Sequence, residues 1–152
     1  MPVWFQILSG TVTLVLAILT TTFIYKQHKL EKSNFKIEAY DRRIKIYDAI
    51  KMFISEIQTI GTTDDEKLTR LLQQTRQAIF LFEDDQIPQY IKLLYQKGVD
   101  LEFIKNKLHN HMVSLSDLER MNLANRAREL SEWFSAQHKV VEQKFDKYMR
   151  LS

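Results

Sequence analysis

From Val3 to Tyr25 the chain runs 23 residues, VWFQILSGTVTLVLAILTTTFIY, without one Asp, Glu, Lys, Arg or His. A helix rises about 1.5 Å per residue, so this run covers the roughly 30 Å hydrocarbon core of a bilayer with slight tilt. Trp4 and Phe5 at one end, and Phe23 and Tyr25 at the other, suit the two headgroup regions. A cleaved signal peptide would want a basic start, a shorter apolar stretch and small residues at a cleavage site. Met1-Pro2 offers no Lys or Arg, and the run closes on Phe-Ile-Tyr-Lys. The expectation is a retained transmembrane anchor over residues 1–25.

Charge sets its direction. No basic side chain precedes the run, whereas Lys26, Lys29, Lys32 and Lys36 follow it directly. The positive-inside rule then puts the N-terminus outside and residues 26–152 in the cytoplasm, as a single-pass inner-membrane protein. These four lysines minus Glu31 account for the whole formal net charge of +3, so residues 37–152 balance acidic and basic side chains. The sequence pI near 9.0 reflects this juxtamembrane collar, and nucleic acid is not an expected partner. Such a collar attracts anionic lipid at about 1 kcal/mol per basic residue, although topology marking alone accounts for its first lysines. Within the span, Ser9, Thr13, Ala17 and Thr21 recur every four residues with Gly10 alongside. Small side chains on one face let another helix approach closely, and hydroxyls bonding back to their own helix carbonyls explain the stripe equally well.

Beyond the collar, Gly and Pro are scarce, at 3 and 2 in the whole chain, which argues against a sandwich or barrel. A 45% hydrophobic and 11% aromatic composition is too rich for a disordered chain. The absence of cysteine excludes disulfides, Cys-ligated metal and thiol nucleophiles. Four amphipathic helices are expected, at about 26–60, 64–82, 86–110 and 117–150. The first carries Ile37, Tyr40, Ile44, Tyr47, Ile50, Phe53, Ile54, Ile57 and Ile60 at three- and four-residue spacing and stops at Gly61. Thr63-Asp-Asp-Glu66 reads as a capping box opening the second, whose face is Leu68, Leu71, Leu72, Ile79 and Phe82. Glu83-Asp84-Asp85 before Ile87-Pro88 marks the third start, and its face is Ile87, Ile91, Leu94, Leu101, Ile104 and Leu108, with Gly98 kinking it or admitting a close neighbour. Ser116-Asp-Leu-Glu119 is a second capping box, ahead of Leu123, Ala127, Leu130, Phe134, Val141, Phe145 and Tyr148. The fold class is all-α: a single transmembrane helix continuing into a cytoplasmic antiparallel bundle. The two longest helices outreach the shorter pair, so they form a coiled arm or meet another subunit.

No catalytic pattern emerges. His109 and His111 point about 200° apart on a helix and cannot face one metal, and neither they nor His28 and His138 belong to an HExxH or ExxH motif. The acidic runs at 64–66 and 83–85 are accounted for by helix starts, where negative charge meets the helix dipole. No metal, cofactor or catalytic residue is assigned. Arg42 and Arg43 are expected inside the bundle or facing a partner, pairing with Asp84 or Asp85.

Three segments carry a resemblance: Tyr40-Asp-Arg-Arg-Ile-Lys-Ile-Tyr-Asp-Ala-Ile, Arg76-Gln-Ala-Ile-Phe-Leu-Phe-Glu-Asp-Asp, and Tyr90-Ile-Lys-Leu-Leu-Tyr95. Over about residues 37–101 the chain resembles an uncharacterised family of small bacterial single-pass inner-membrane proteins with a cytoplasmic helical domain. The resemblance implies a bacterial inner-membrane setting and brings no activity or functional residues. The expected function is that of a non-enzymatic, membrane-anchored interaction or scaffold protein. Its partners are membrane lipid and either a second copy, forming a homo-oligomer, or a membrane or cytosolic protein. The alternative is a membrane-perturbing effector or toxin, in a layout shared with some bacterial antiphage-defence proteins.

Overall fold

The computed structural model describes the backbone of residues 3–110 and 115–150, and the side chains of residues 20–27, 37–110 and 115–150. Its elements are α1 (Val3–Ile60), α2 (Asp65–Thr75), α3 (Ala78–Leu81), α4 (Gln86–His109) and α5 (Asp117–Met149), with no strand among the described residues. The chain divides into two units, residues 1–39 and 40–152. In the first, the described apolar side chains Phe23, Ile24, Tyr25 and Ile37 are exposed. The second is an all-helical bundle.

Within the bundle, α1 and α5 run antiparallel. Tyr47 meets Phe145, Lys51 meets Glu142 and Phe53 meets Phe134, so residue numbers rise on one helix as they fall on the other. Leu68 of α2 lies against Gly98 of α4, and Asp65 beside Glu102, which makes that pair antiparallel too. The core is Ile46, Ile50, Phe53, Ile54 and Ile57 from α1, Leu68 and Leu71 from α2, and the expected faces of α4 and α5. Burying each large aliphatic or aromatic side chain contributes about 1.5–3 kcal/mol, which is what holds four elements of this size together.

Several local expectations shift by a residue. Gly61 ends α1 as anticipated: its φ of 76° is open to glycine without strain, and its N–H donates to Ile57 O at 2.7 Å. The cap of α2 is Asp64 rather than Thr63, because Asp64 Oδ1 accepts from the Lys67 N–H at 2.9 Å. Thr63 turns inward, 3% exposed, with no partner for its hydroxyl. The Ser116–Glu119 box forms in full, the Glu119 N–H donating to Ser116 Oγ at 3.3 Å and the Ser116 N–H to Glu119 Oε2 at 2.9 Å.

The expected helix at 64–82 is broken after Thr75. The Thr75 hydroxyl donates to Leu71 O at 2.7 Å, a side-chain bond of the kind that loosens a helix. α3 then resumes out of phase, so Ala78 and Phe82 are buried while Ile79, expected inside, is exposed; Leu72, on α2 ahead of the break and also expected inside, is exposed too. On α1 the buried face adds Ile46 and Ala49, and the two ends of the expected stripe, Ile37 and Ile60, stand in solvent. Pro88 sits in the first turn of α4, where a missing N–H costs nothing. Gly98 admits close neighbours, since a Cβ there would lie 2.8 Å from Leu68 Cδ2 and 3.1 Å from Phe53 Cζ.

Gly98→Leu should lower unfolding free energy by about 1–3 kcal/mol through overpacking. Thr63→Val, which removes a buried unpaired hydroxyl at constant shape, should raise it by about 1 kcal/mol. Asp64→Ala should lower it by about 1 kcal/mol through loss of the cap. Urea midpoints for the three variants check all of these, and a destabilising Thr63→Val would show that the hydroxyl has a role the orphaned geometry hides.

Candidate functional site

The bundle is closed at one end by aromatic rings. Phe145 of α5 meets Tyr47 of α1 at 5.3 Å between centroids and Phe82 at 5.5 Å, and Phe82 meets Tyr148 at 4.8 Å, all edge-to-face. Such pairs add about 0.5–1.5 kcal/mol each beyond the area they bury. Phe82 is the first residue after α3, so the out-of-phase helix delivers it here. Arg43 donates from Nε to Leu81 O at 3.1 Å, satisfying a terminal carbonyl of α3, and its guanidinium carbon lies 6.0 Å from the Phe82 ring centroid.

Asp84 binds this end from outside. Lys147 Nζ donates to Asp84 Oδ2 at 2.5 Å, the Tyr148 hydroxyl to Oδ1, and the Gln86 N–H to Oδ1 at 3.2 Å. Lys147 first, and then the Tyr148 hydroxyl, hold the carboxyl well below the usual range, at about 2. The same contact raises Lys147, while burial, followed by Asp84, raises Tyr148. Asp84 is thus an intra-bundle ion-pair residue whose cation is Lys147 of α5. Arg43 serves a carbonyl and a ring, Arg42 is exposed on α1, and Asp85 holds the N-cap backbone position of α4, its carbonyl accepting from the Gln89 N–H at 2.9 Å.

The other polar centre is internal. The Tyr90 hydroxyl donates to Gln137 Oε1 at 3.1 Å, and Gln137 Nε2 donates to Trp133 O at 3.0 Å. Burial raises the Tyr90 hydroxyl far above its ordinary value, so it stays a protonated donor. Neither residue is on an expected face, though Gln137 stands three after Phe134 and four before Val141, a spacing that placed it inside. His109 donates to Lys105 O at 2.8 Å and His138 to Gln58 Oε1 at 2.7 Å. Among the described residues no group of three or more His, Asp or Glu side chains is placed to hold a metal ion.

Of the small-residue stripe, Thr21 is exposed on α1, while Ser9, Gly10, Thr13 and Ala17 lie outside the described side chains. Of the collar, Lys26 is exposed, and Lys29, Lys32 and Lys36 lie outside them. Among the described residues no helix is long and apolar enough to cross a membrane; within Val3–Tyr25 only the side chains of residues 20–25 are described.

Two surface features stand out. Ile79 and Phe80, adjacent on the single turn of α3, are 62% and 83% exposed, and Phe103, Leu118 and Met121 are also largely uncovered. Between α1 and α2 lies a groove of about 330 Å³ in which Arg42, Lys45 and Arg76 converge with Gln74 and Gln77 over the buried Ile46. It adjoins a second groove of about 390 Å³ that shares Lys45 and Gln74 and continues along Ala49 and Met52. Compared with protein-family models, curated proteins and solved structures, the chain has no match.

Asp84→Asn tests the outer clasp. A carboxyl whose folded pKa is depressed contributes stability that is fully present above its unfolded value near 3.8 and disappears as pH falls through about 2. The variant should therefore be less stable than the parent at pH 7, and the gap in urea midpoint should close between pH 4 and pH 2. A gap independent of pH would remove Lys147 and Tyr148 as the cause.

Proposed function

We propose that the chain is a non-catalytic, membrane-anchored interaction protein. The N-terminal span holds it in a bacterial inner membrane with its N-terminus outside, and the helical bundle works on the cytoplasmic side. The observation that carries this reading is the run Val3–Tyr25, without a charged side chain and followed directly by lysines. It stands at the head of the helix whose later turns enter the core of the bundle. Support for an interaction role comes from apolar surface left in water. A buried Phe or Ile recovers about 1.5–3 kcal/mol, and the adjacent pair Ile79 and Phe80 forgoes that while exposed. A protein partner covering α3, either a second copy or another chain, recovers it.

Carbonate washing of membranes should leave the intact chain in the pellet and release a variant lacking residues 3–25. Release of the intact chain would end the anchoring reading. A photo-crosslinking side chain in place of Phe80 should give a discrete protein adduct in cells, lost when Ile79→Asp is added. Tagging two copies differently tells a homo-oligomer from a heterologous complex, and the absence of any adduct from position 80 would remove α3 as the docking element.

A further inference from the structure

We propose that the groove between α1 and α2 binds a phosphate group, carried either by a small soluble molecule or by a lipid headgroup. Arg42 and Lys45 are three residues apart on α1, which places them on one face, and Arg76 comes to the same groove from the end of α2. Among the described residues neither Lys45 nor Arg76 has an ion pair, whereas Lys51, Arg70 and Lys147 are each matched to a carboxylate on another element. No carboxylate is among the residues that line this groove, and Asp48 lines the adjoining one. Lys45 and Arg76 share this groove beside the buried Ile46 and repel one another, and a bound anion converts that repulsion into attraction.

The donor set selects phosphate over carboxylate. The Arg76 guanidinium and the Lys45 ammonium offer more donors than the two oxygens of a carboxylate engage, and they match the three free oxygens and higher charge of a phosphomonoester or terminal phosphate. Gln74 and Gln77 add carboxamide N–H donors at the same place. The adjoining stretch along Ala49 and Met52 offers an apolar wall to the remainder of an organic phosphate. The site lies wholly within residues 40–152 and does not depend on the proposed anchor.

The test uses the full-length chain in a non-ionic detergent at pH 7, titrated calorimetrically. One arm adds inorganic pyrophosphate, and a second adds a short-chain phosphatidic acid, a phosphomonoester, with the matching phosphatidylcholine as control. Binding of pyrophosphate supports a soluble phosphate, and binding of phosphatidic acid in preference to phosphatidylcholine supports a headgroup. Lys45→Gln with Arg76→Gln should weaken whichever binds by about tenfold or more, the scale of lost charge-assisted hydrogen bonds. Gln74→Glu, which places a carboxylate in the wall, should weaken it in the same direction. Lys92→Gln with Lys139→Gln, exposed lysines on α4 and α5 that change the net charge equally, should cost less than about twofold because distant surface charges are screened. The proposal is overturned if neither pyrophosphate nor phosphatidic acid binds, if pyrophosphate does not bind and phosphatidylcholine binds as well as phosphatidic acid, or if the two double variants weaken binding alike.

Discussion

Phe145 is the contact on which the bundle depends. It is buried on α5 and meets Tyr47 of α1 and Phe82 of the turn after α3, so three separated stretches of chain converge on one ring. The break in the second expected helix follows from this. An unbroken helix through 64–82 would put Ile79 inside, whereas the rephased α3 buries Ala78 and seats Phe82 between Phe145 and Tyr148. Arg43 and Asp84 then secure both sides of the same turn, one through a terminal carbonyl and the other through α5. Aromatic packing, more than local helix preference, decides the path from residue 75 to residue 86.

Among the described residues, polar groups inside the bundle divide into those with partners and one without. Tyr90 and Gln137 satisfy each other and the Trp133 carbonyl across α4 and α5, which fixes how those two helices are rotated. Thr63 has no such partner. Its position is set by the turn at Gly61 and by the packing of its methyl near Gly98, so shape prevails over hydrogen bonding there. The displaced cap at Asp64 follows from the same inward turn, because a residue whose side chain points into the core has no hydroxyl to offer a helix start.

The outer surface is uneven in a way that bears on function. The Asp84 carboxylate is bound by Lys147 and Tyr148 of α5 and by the Gln86 amide of α4, while Lys45 and Arg76 stand beside a groove that no carboxylate lines. Exposed Phe80 lies on the element whose phase was set by Phe82. The packing that buries one aromatic residue thereby presents another to solvent.

Local sequence alone determined the all-helical class, the stop at Gly61, the capping box at Ser116 and the aliphatic and Phe positions at the centre of the α4 and α5 faces, but not Tyr90 or Gln137. These are set within one or two turns, by spacing that follows the helix repeat and by side chains bonding to nearby amides. The 23-residue apolar run and the collar after it were equally plain in composition. Only the tertiary structure decided that α3 separates from α2, that Asp84 takes Lys147 rather than Arg42 or Arg43, that Thr63 turns inward, and that Arg42, Lys45 and Arg76 share a groove. Each of these joins residues tens of positions apart or chooses between local options of nearly equal energy. Such choices are made by which surfaces meet, and no local pattern in the sequence records that.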